Sequence, residues 1–504
     1  MFSSTRVICS IFIIAGVISR FLYLDSHPYG LDIDEAAILY WAEQSFRGRQ
    51  FFLYAPEFTR WEMLPGFLHA GVAWMSGDTF RLSPALLGCL EILVLWMFAD
   101  RILGRTAAWI AAAFLAMSPW HFYYSRIVGT CVGVSLLFLI ALLLRDSLNG
   151  WAVIRHVGGL FYYTTYRLVI LRLIGQYLSQ RKWKGVALAV MAVLAAMLLA
   201  RVSPFLERGA YNFQRPNLHF LKNYFYSLVS PFFPIAEEFS QTTREFMADY
   251  VHTGFCFALG GHPPLGWGFA IVSLVAIGWA LVRRAAVPKL LRDELLFVGG
   301  IWLILGFMGP SLSRFLILVP FLTLPAAWLL DVLEKKSSKW VFATFLFGLL
   351  TSTAFSQLEV FQRLGNRQLM EPIFHGRFRD LKQTIDKFPD ANPDTAFLIT
   401  GFGHQAARFW ATRSKSYSVL PPLTAKDTEE VLNLSAHGRT QYLLRDESPT
   451  IGPSLSGYDY SQRIDSVFAR IEARAQILED LEICADQRKI GRLLKFNWPF
   501  RLSG

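Results

Sequence analysis

The feature that most constrains this chain is the recurrence of apolar runs long enough, or nearly long enough, to cross a bilayer. The first, VICSIFIIAGVISRFLYL from Val7 to Leu24, has Arg6 before it and Arg20 inside it. It lacks the small-residue cleavage site of a secretory signal and reads as an uncleaved anchor. Further spans are read at Leu82 to Ala99, Ala107 to Tyr124, Ile127 to Leu144, Gly185 to Ala200, Gly266 to Val282, Leu295 to Met308, Phe315 to Val332 and Val341 to Phe355, nine in all. Several are short and need neighbouring helices or flanking aromatics to reach both interfaces. Between Arg145 and Lys184 the piece GLFYYTTYRLVILRLIGQYLSQRKWK is interrupted by Arg167 and Arg172. It reads as a paired crossing or as an interfacial hairpin, and either preserves parity. A mean hydropathy of +0.35 with 17% charged residues over 504 positions agrees with a polytopic membrane protein and excludes an ordinary soluble one.

Short loops set the orientation. Arg101 and Arg105, Arg145, Arg181 with Lys182 and Lys184, Arg283 and Arg284 with Lys289 and Arg292, and the stretch EKKSSK at Glu334 to Lys339 all fall on one side, which the positive-inside rule makes cytoplasmic. The N-terminus is therefore inside, and the loops 25–61 and 201–262 are outside together with the tail. The formal charge of +11 is mostly this topology signal plus a basic tail, and nothing in it calls for nucleic acid. Aromatic-rich stretches such as SPWHFYYSR, Ser118 to Arg126, suit an interfacial belt. Four of the five cysteines lie in or beside apolar segments and only Cys484 is in the polar tail, so no disulfide scaffold or metal cluster is implied.

Past the last span the composition changes. Residues 1–360 form the membrane domain, and residues 371–504 read as a small α/β domain on the outer face. Its pieces are FRDLKQTIDKF (helix), TAFLITGFG (strand, then turn), HQAARFWATR (helix), SYSVLPP (strand), TAKDTEEVLNL (helix), QYLLRDE (strand) and a long charged helical pattern through RIDSVFARIEARAQILEDLEI. Three parallel strands are expected. Gly401 and Gly403 in ITGFGHQ do not make a phosphate-binding fingerprint.

The stretch GLDIDEAAILYWAEQ, Gly30 to Gln44, places Asp32, Asp34 and Glu35 ahead of an amphipathic helix on the outer side. Asp32 or Asp34 can cap that helix, and acids in a first turn suit its dipole. Capping explains one acid readily and three less well, because each carboxylate raises the cost of ionising the next. A second element, PEFTRWEMLPGFLHAGVAWMSG, sets Glu57 and Glu62 before another amphipathic helix, so two interfacial helices with acids at their starts form the floor of a site.

This order of elements resembles the GT-C superfamily of polytopic glycosyltransferases, in the bacterial branch related to protein O-mannosyltransferases and lipid A aminoarabinose transferases. The acid pair of the first external loop stands as Asp34-Glu35. The element running from an arginine to a glycine stands as Arg81, Leu82, Ser83 and Gly88, the Ser-Pro to Ser-Arg element as Ser118, Pro119, Ser125 and Arg126, and the late Arg-aromatic with its proline as Arg314-Phe315 and Pro320. The likeness covers roughly Met1 to Phe355. Two departures stand out: Met63 occupies the place of a lysine after Glu62, and IVGTCVG after Arg126 carries no acid.

The resemblance implies a GT-C-like fold and transfer of a sugar from a polyprenyl-phosphate carrier to a glycan, lipid or protein acceptor at the outer face. It implies a multi-pass protein of a bacterial inner membrane, with cytoplasmic N-terminus and periplasmic C-terminal domain. It makes Asp34 the base or charge stabiliser, with Glu35 beside it. A carboxylate suits proton removal from an attacking hydroxyl or amine and an oxocarbenium-like transition state. The departing lipid phosphate needs positive charge rather than a second acid. Arg60, Arg126, Arg201 and Arg314 are the candidates, with Arg201 foremost because it opens the large external loop at ARVSPF, and with Glu62 and Asp32 as further substrate contacts. Snorkelling is the rival reading for these arginines. No cofactor is required. A divalent metal is allowed for without a strong ligand motif, and His262, in HPPL before a span, is its one candidate. Two other classes stay open: a transporter, which would need ionisable groups near the middle of its spans, whose interiors are nearly charge-free apart from Glu91, and a catalytically silent protein that binds a lipid-linked glycan or a partner.

Overall fold

The computed structural model describes residues 4–48, 64–77, 79–129, 131–144, 159, 166–179, 181–202, 231–233, 261–307, 316–374, 376–387, 396–399, 404–414, 418–419, 441–446, 476–485 and 488–497. The chain divides into two compact units. One comprises 1–25, 41–240 and 254–363; the other comprises 26–40, 241–253 and 364–504.

The first unit is helical. In chain order it contains α1 (Ser4–Phe21), the end of α2 (Ile33–Phe46), α3 (Leu64–Met75), α4 (Leu82–Leu103), α5 (Arg105–Met117), α6 (Pro119–Tyr124) and α7 (Cys131–Leu143). There follow α8 (Tyr166–Ser179), α9 (Trp183–Val202), α10 (Trp267–Val282), α11 (Lys289–Phe307), α12 (Val319–Lys336) and α13 (Lys339–Gly365). Most of the described residues of each of the nine apolar runs read from sequence fall on one of these helices or on α5 and α6 together. Among the described residues, Ser4–Phe21, Leu82–Leu103, Leu316–Lys336 and Lys339–Gly365 are long and apolar enough to cross a membrane.

Their faces are inside-out relative to a soluble protein. On α1 the outward stripe is Val7, Ile11, Ile14 and Ile18, while Cys9, Phe12, Gly16 and Arg20 are buried. On α4 the outward stripe is Leu86, Leu90, Leu93 and Met97, and the inward face includes Gly88 and Glu91. Apolar residues at helical spacing on the surface, with polar ones inside, need lipid rather than water as solvent. The chain is a multi-pass membrane protein. At its centre α12 is buried from Val319 to Asp331, and the alanine-rich α5, buried from Ile110 through Met117, allows close helix approach.

The run Ala107 to Tyr124 is not one helix. Pro119 has no N–H to continue α5 and biases Ser118 away from helical geometry, and Ser118 is extended (φ −62°, ψ 120°). Ser118 then caps α6, with Pro119 in its first turn. Helix α13 runs well beyond Phe355 and carries Ser356, Gln357, Glu359 and Arg363 in its last turns. Within the uncertain piece lies α8, which packs against α9, the span read at Gly185 to Ala200, around Ile170, Leu173, Tyr177 and Ala189, and Arg172 of α8 pairs with the buried Glu294 of α11.

The second unit holds the start of α2 with helices α14 (Arg367–Phe374), α15 (Arg377–Ile385) and α16 (His404–Thr412). Its strands are β1 (Ala396–Ile399), β2 (Ser418–Val419), β3 (Gln441–Asp446), β4 (Gln476–Ala485) and β5 (Arg488–Asn497), in the order β2-β1-β3-β5-β4. β2, β1 and β3 are parallel and lie on the segments read as strands. The other two correct the sequence reading: β5 pairs antiparallel with both β3 and β4, and the end of the segment read as a charged helix is β4. The register explains this, since Glu479 stands opposite Lys495 and Glu482 opposite Arg492. A charge pattern that resembled helical spacing is a cross-strand pattern. The segment TAKDTEEVLNL and Gly401 and Gly403 lie outside the described residues.

Candidate functional site

The acids of the first loop occupy three different positions on one helix start. Asp32 is the N-cap of α2: its carbonyl accepts from Ala36 N–H (2.9 Å) and its Oδ1 from Asp34 N–H (3.0 Å). Glu35, three residues on and fully buried, returns the bond by accepting Asp32 N–H at Oε2 (2.9 Å). This reciprocal arrangement is a capping box, and it commits the carboxylates of Asp32 and Glu35 to backbone donors. Asp34, at the second helical position, uses its backbone amide in the cap, while its half-buried carboxylate makes no hydrogen bond or ion pair among the described residues. Burial first, then the negative charges of Asp32 and Glu35, push its pKa well above the usual carboxylate range.

This helix start packs with the C-terminal segment. Tyr29 O–H donates to Asp380 Oδ1 (2.7 Å), and the Tyr29 ring lies under the guanidinium groups of Arg367 (4.2 Å to the centroid) and Arg379 (5.1 Å). Arg367 also pairs with Asp380, and Arg379 reaches over Trp410 (5.6 Å). Neither Tyr29 nor its partners carry a sequence signal, because each is a single residue in an ordinary context.

In the helical unit, two of the motif elements meet, at Gly88 and Ser125. Arg126 donates from its two terminal nitrogens to the carbonyls of Ser19 (2.9 Å), Arg20 (3.0 Å), Leu22 (2.7 Å) and Tyr23 (3.1 Å), which caps the C-terminal end of α1. Its guanidinium also lies 5.5 Å from the rings of Phe122 and Phe361. Gly88 lets α4 approach Ser125 so closely that a Cβ there would lie 2.5 Å from the Ser125 Cβ. Ser83 Oγ donates to His69 Nδ1 (2.5 Å), and His69 Nε2–H donates to the Gly129 carbonyl (3.0 Å). Burial holds the His69 imidazole down to about 4, against the opposing effect of the Gly129 bond.

Glu91 has company inside the bundle. His121 Nδ1 accepts from Arg20 (2.8 Å) and its Nε2 lies 3.2 Å from Glu91 Oε2, all three side chains being fully buried. The cation and the anion balance across the imidazole, and α1, α4 and α6 are joined by it. Beside α1 and α13 is a recess of about 320 Å³, lined by Ala15, Leu22, Ala354, Phe355, Leu358 and Phe361 among others, with Ser19 and Gln357 supplying polar groups.

Arg201 lies in the last turn of α9. Arg60, Glu62 and Arg314 lie outside the described residues. His262 is held by α13: Nε2 meets Glu359 Oε2 (2.5 Å), Nδ1 meets Ser356 Oγ (3.2 Å), and Arg363 Nε donates to Glu359 Oε1 (3.1 Å). Among the described residues no group of three or more His, Cys, Asp or Glu side chains is arranged to hold a metal ion.

Helices with outward apolar faces, a capped acid-bearing turn after the first of them and a C-terminal sheet make up a GT-C-like fold, which the chain shares with solved membrane proteins. Among the solved structures that the chain resembles are two proteins. ArnT from Cupriavidus metallidurans bound to undecaprenyl phosphate matches at a TM-score of 0.54 and 13% identity, over 98% of this chain and 99% of that one. Its apo form matches at 0.55 and 13%, over 96% and 97%. The Archaeoglobus fulgidus oligosaccharyltransferase in complex with zinc and sulfate matches at 0.51 and 13%, over 87% of this chain and 68% of that one. No protein-family model and no curated protein sequence matches the chain.

Proposed function

We propose that the chain is a glycosyltransferase that moves a sugar from a polyprenyl-phosphate carrier to a glycan, lipid or protein acceptor at the outer face of a bacterial inner membrane. The N-terminus is then cytoplasmic and residues 371–504 periplasmic. The observation that carries the reading is the division of labour among the three acids: Asp32 and Glu35 cap α2, and Asp34 keeps a carboxylate uncommitted, with a pKa raised by its surroundings. A base is most effective when its pKa lies near the working pH. Support comes from the fold, shared with an ArnT structure bound to undecaprenyl phosphate.

In this mechanism the acceptor oxygen or nitrogen bonds to the anomeric carbon as the bond from that carbon to the carrier phosphate breaks. The acceptor proton passes to Asp34, and the carrier leaves as polyprenyl phosphate. Asp32 and Glu35 hold the helix start and keep Asp34 basic. Arg201, with Arg60, Arg314 and Glu62 as the further candidates, meets the phosphate and its surroundings, whereas Arg126 is committed to the carbonyls at the end of α1. The test is transfer by purified protein from a polyprenyl-phosphate donor carrying a labelled sugar, with acceptors chosen from the glycan profile of cells with and without the gene. Label should reach an acceptor with release of polyprenyl phosphate. A folded protein that binds the donor, with no change in any envelope glycan when the gene is removed, would contradict the reading.

A further inference from the structure

We propose that the cluster Tyr29, Arg367, Arg379 and Asp380 is a clamp by which the C-terminal segment positions the acid-bearing turn, so that this segment belongs to the catalytic apparatus. The inference rests on the reading of Asp34 as the base. Tyr29 is anchored at both its hydroxyl and its ring: its O–H donates a 2.7 Å hydrogen bond to Asp380 Oδ1, and the guanidinium groups of Arg367 and Arg379 lie over the ring at 4.2 and 5.1 Å. Arg367 closes the cluster by pairing with the same Asp380, and Arg379 extends it to the buried Trp410 of α16. Cations over an aromatic face and a charge-assisted hydrogen bond are directional contacts, so together they fix the ring's place and tilt.

The backbone beside Tyr29 is equally constrained. Gly30 has φ +92°, and a Cβ on it would lie 2.2 Å from the Phe374 carbonyl oxygen and 2.6 Å from Gly376. A Cβ on Gly365 would lie 2.3 Å from His27 Nε2, so His27 and Gly30 fit against Gly365, Phe374 and Gly376 with no room for a further side chain between them. Asp32, the cap of α2, comes two residues after Gly30. The clamp therefore sets where α2 begins and where Asp34 stands. Tyr29, Arg367, Arg379 and Asp380 are positioning residues.

The test uses full-length protein carrying Tyr29→Phe, Arg367→Ala or Arg367→Lys, with Asp34→Asn beside them. Three quantities are read: kcat, KM for the polyprenyl-phosphate donor, and hydrogen–deuterium exchange over residues 30–40. Tyr29→Phe removes one hydroxyl and keeps the ring, so it serves if the arginine variants fail to fold. The expected result is a fall in kcat of roughly 10–10²-fold, as for small misplacements of a catalytic group. Donor KM stays unchanged, exchange rises over residues 30–40, and Arg367→Lys recovers part of what Arg367→Ala loses. Folded clamp variants with wild-type kcat and unchanged exchange, beside an inactive Asp34→Asn, would overturn the clamp and leave Asp34 as the base. An Asp34→Asn protein with wild-type turnover would overturn both.

Discussion

Glu35 accepts the backbone N–H of Asp32 at 2.9 Å while the Asp32 carboxylate accepts the amide of Asp34 at 3.0 Å, so these two acids hold the start of α2 reciprocally. Asp32→Ala should destabilise the helix start by about 0.5–2 kcal/mol, whereas Asp32→Asn, another good cap, should not. Glu35→Gln should retain the returning bond through its amide oxygen. Thermal melting of the three variants in one detergent checks this; equal melting of Asp32→Ala and wild type would remove the cap from the account.

The same two residues should tune the reaction. The proposed base Asp34 would act only when ionised, and its pKa is raised, so transfer should increase with pH along a limb lying above the ordinary carboxylate range. Glu35→Gln removes one of the negative charges that raise it, and the limb should move to lower pH. The sign for stability is opposite to that of a salt-bridged acid. A carboxyl with a raised folded pKa favours the fold while protonated, and that contribution is lost as pH rises through the folded value. Asp34→Asn, which cannot ionise, should therefore melt at or above the wild-type temperature at neutral pH. A limb at the same pH in wild type and Glu35→Gln would contradict the electrostatic part.

His69 gives a stability dependence on the acid side. Its folded pKa of about 4 lies below the ordinary histidine value of 6.5, so the unfolded chain binds a proton that the folded one excludes. The stabilisation is whole above about pH 6.5 and declines as pH falls toward 4, by about 3 kcal/mol at most. Melting of wild type and His69→Gln between pH 7 and 4 should show a smaller decline in the variant; parallel curves would contradict it.

Gly88 and Ser125 should behave as a pair. A methyl group on Gly88 meets the Ser125 Cβ at 2.5 Å, so Gly88→Ala should cost about 1–3 kcal/mol, and Ser125→Gly should recover much of it in the double variant. Independent, additive effects would mean that the two helices do not meet there.

What could be read from the sequence follows from the range of each interaction. Apolar length is local, so the runs on α1, α4, α12 and α13 were legible, and so was the start of α2. The break at Ser118 was signalled by Pro119 but hidden by apolar residues on both sides. β4 was hidden because its charges match β5, a relation that appears only when the strands are paired. The motif residues Ser83, Gly88, Ser125 and Arg126 were legible as a set, yet the structure gives them packing and capping contacts that no spacing conveys. Tyr29 and Asp380 are 351 residues apart, and no local pattern links them.

The most direct measurement is sugar transfer from a polyprenyl-phosphate donor by purified Asp34→Asn protein, with donor affinity and melting temperature determined on the same preparation. Asparagine keeps the size and much of the hydrogen bonding of aspartate and loses its charge and basicity. The expected result is a fall in turnover of roughly 10²–10⁴-fold at unchanged donor affinity, with a melting temperature no lower than that of wild type. Turnover near the wild-type rate would contradict the assignment of Asp34 as the base.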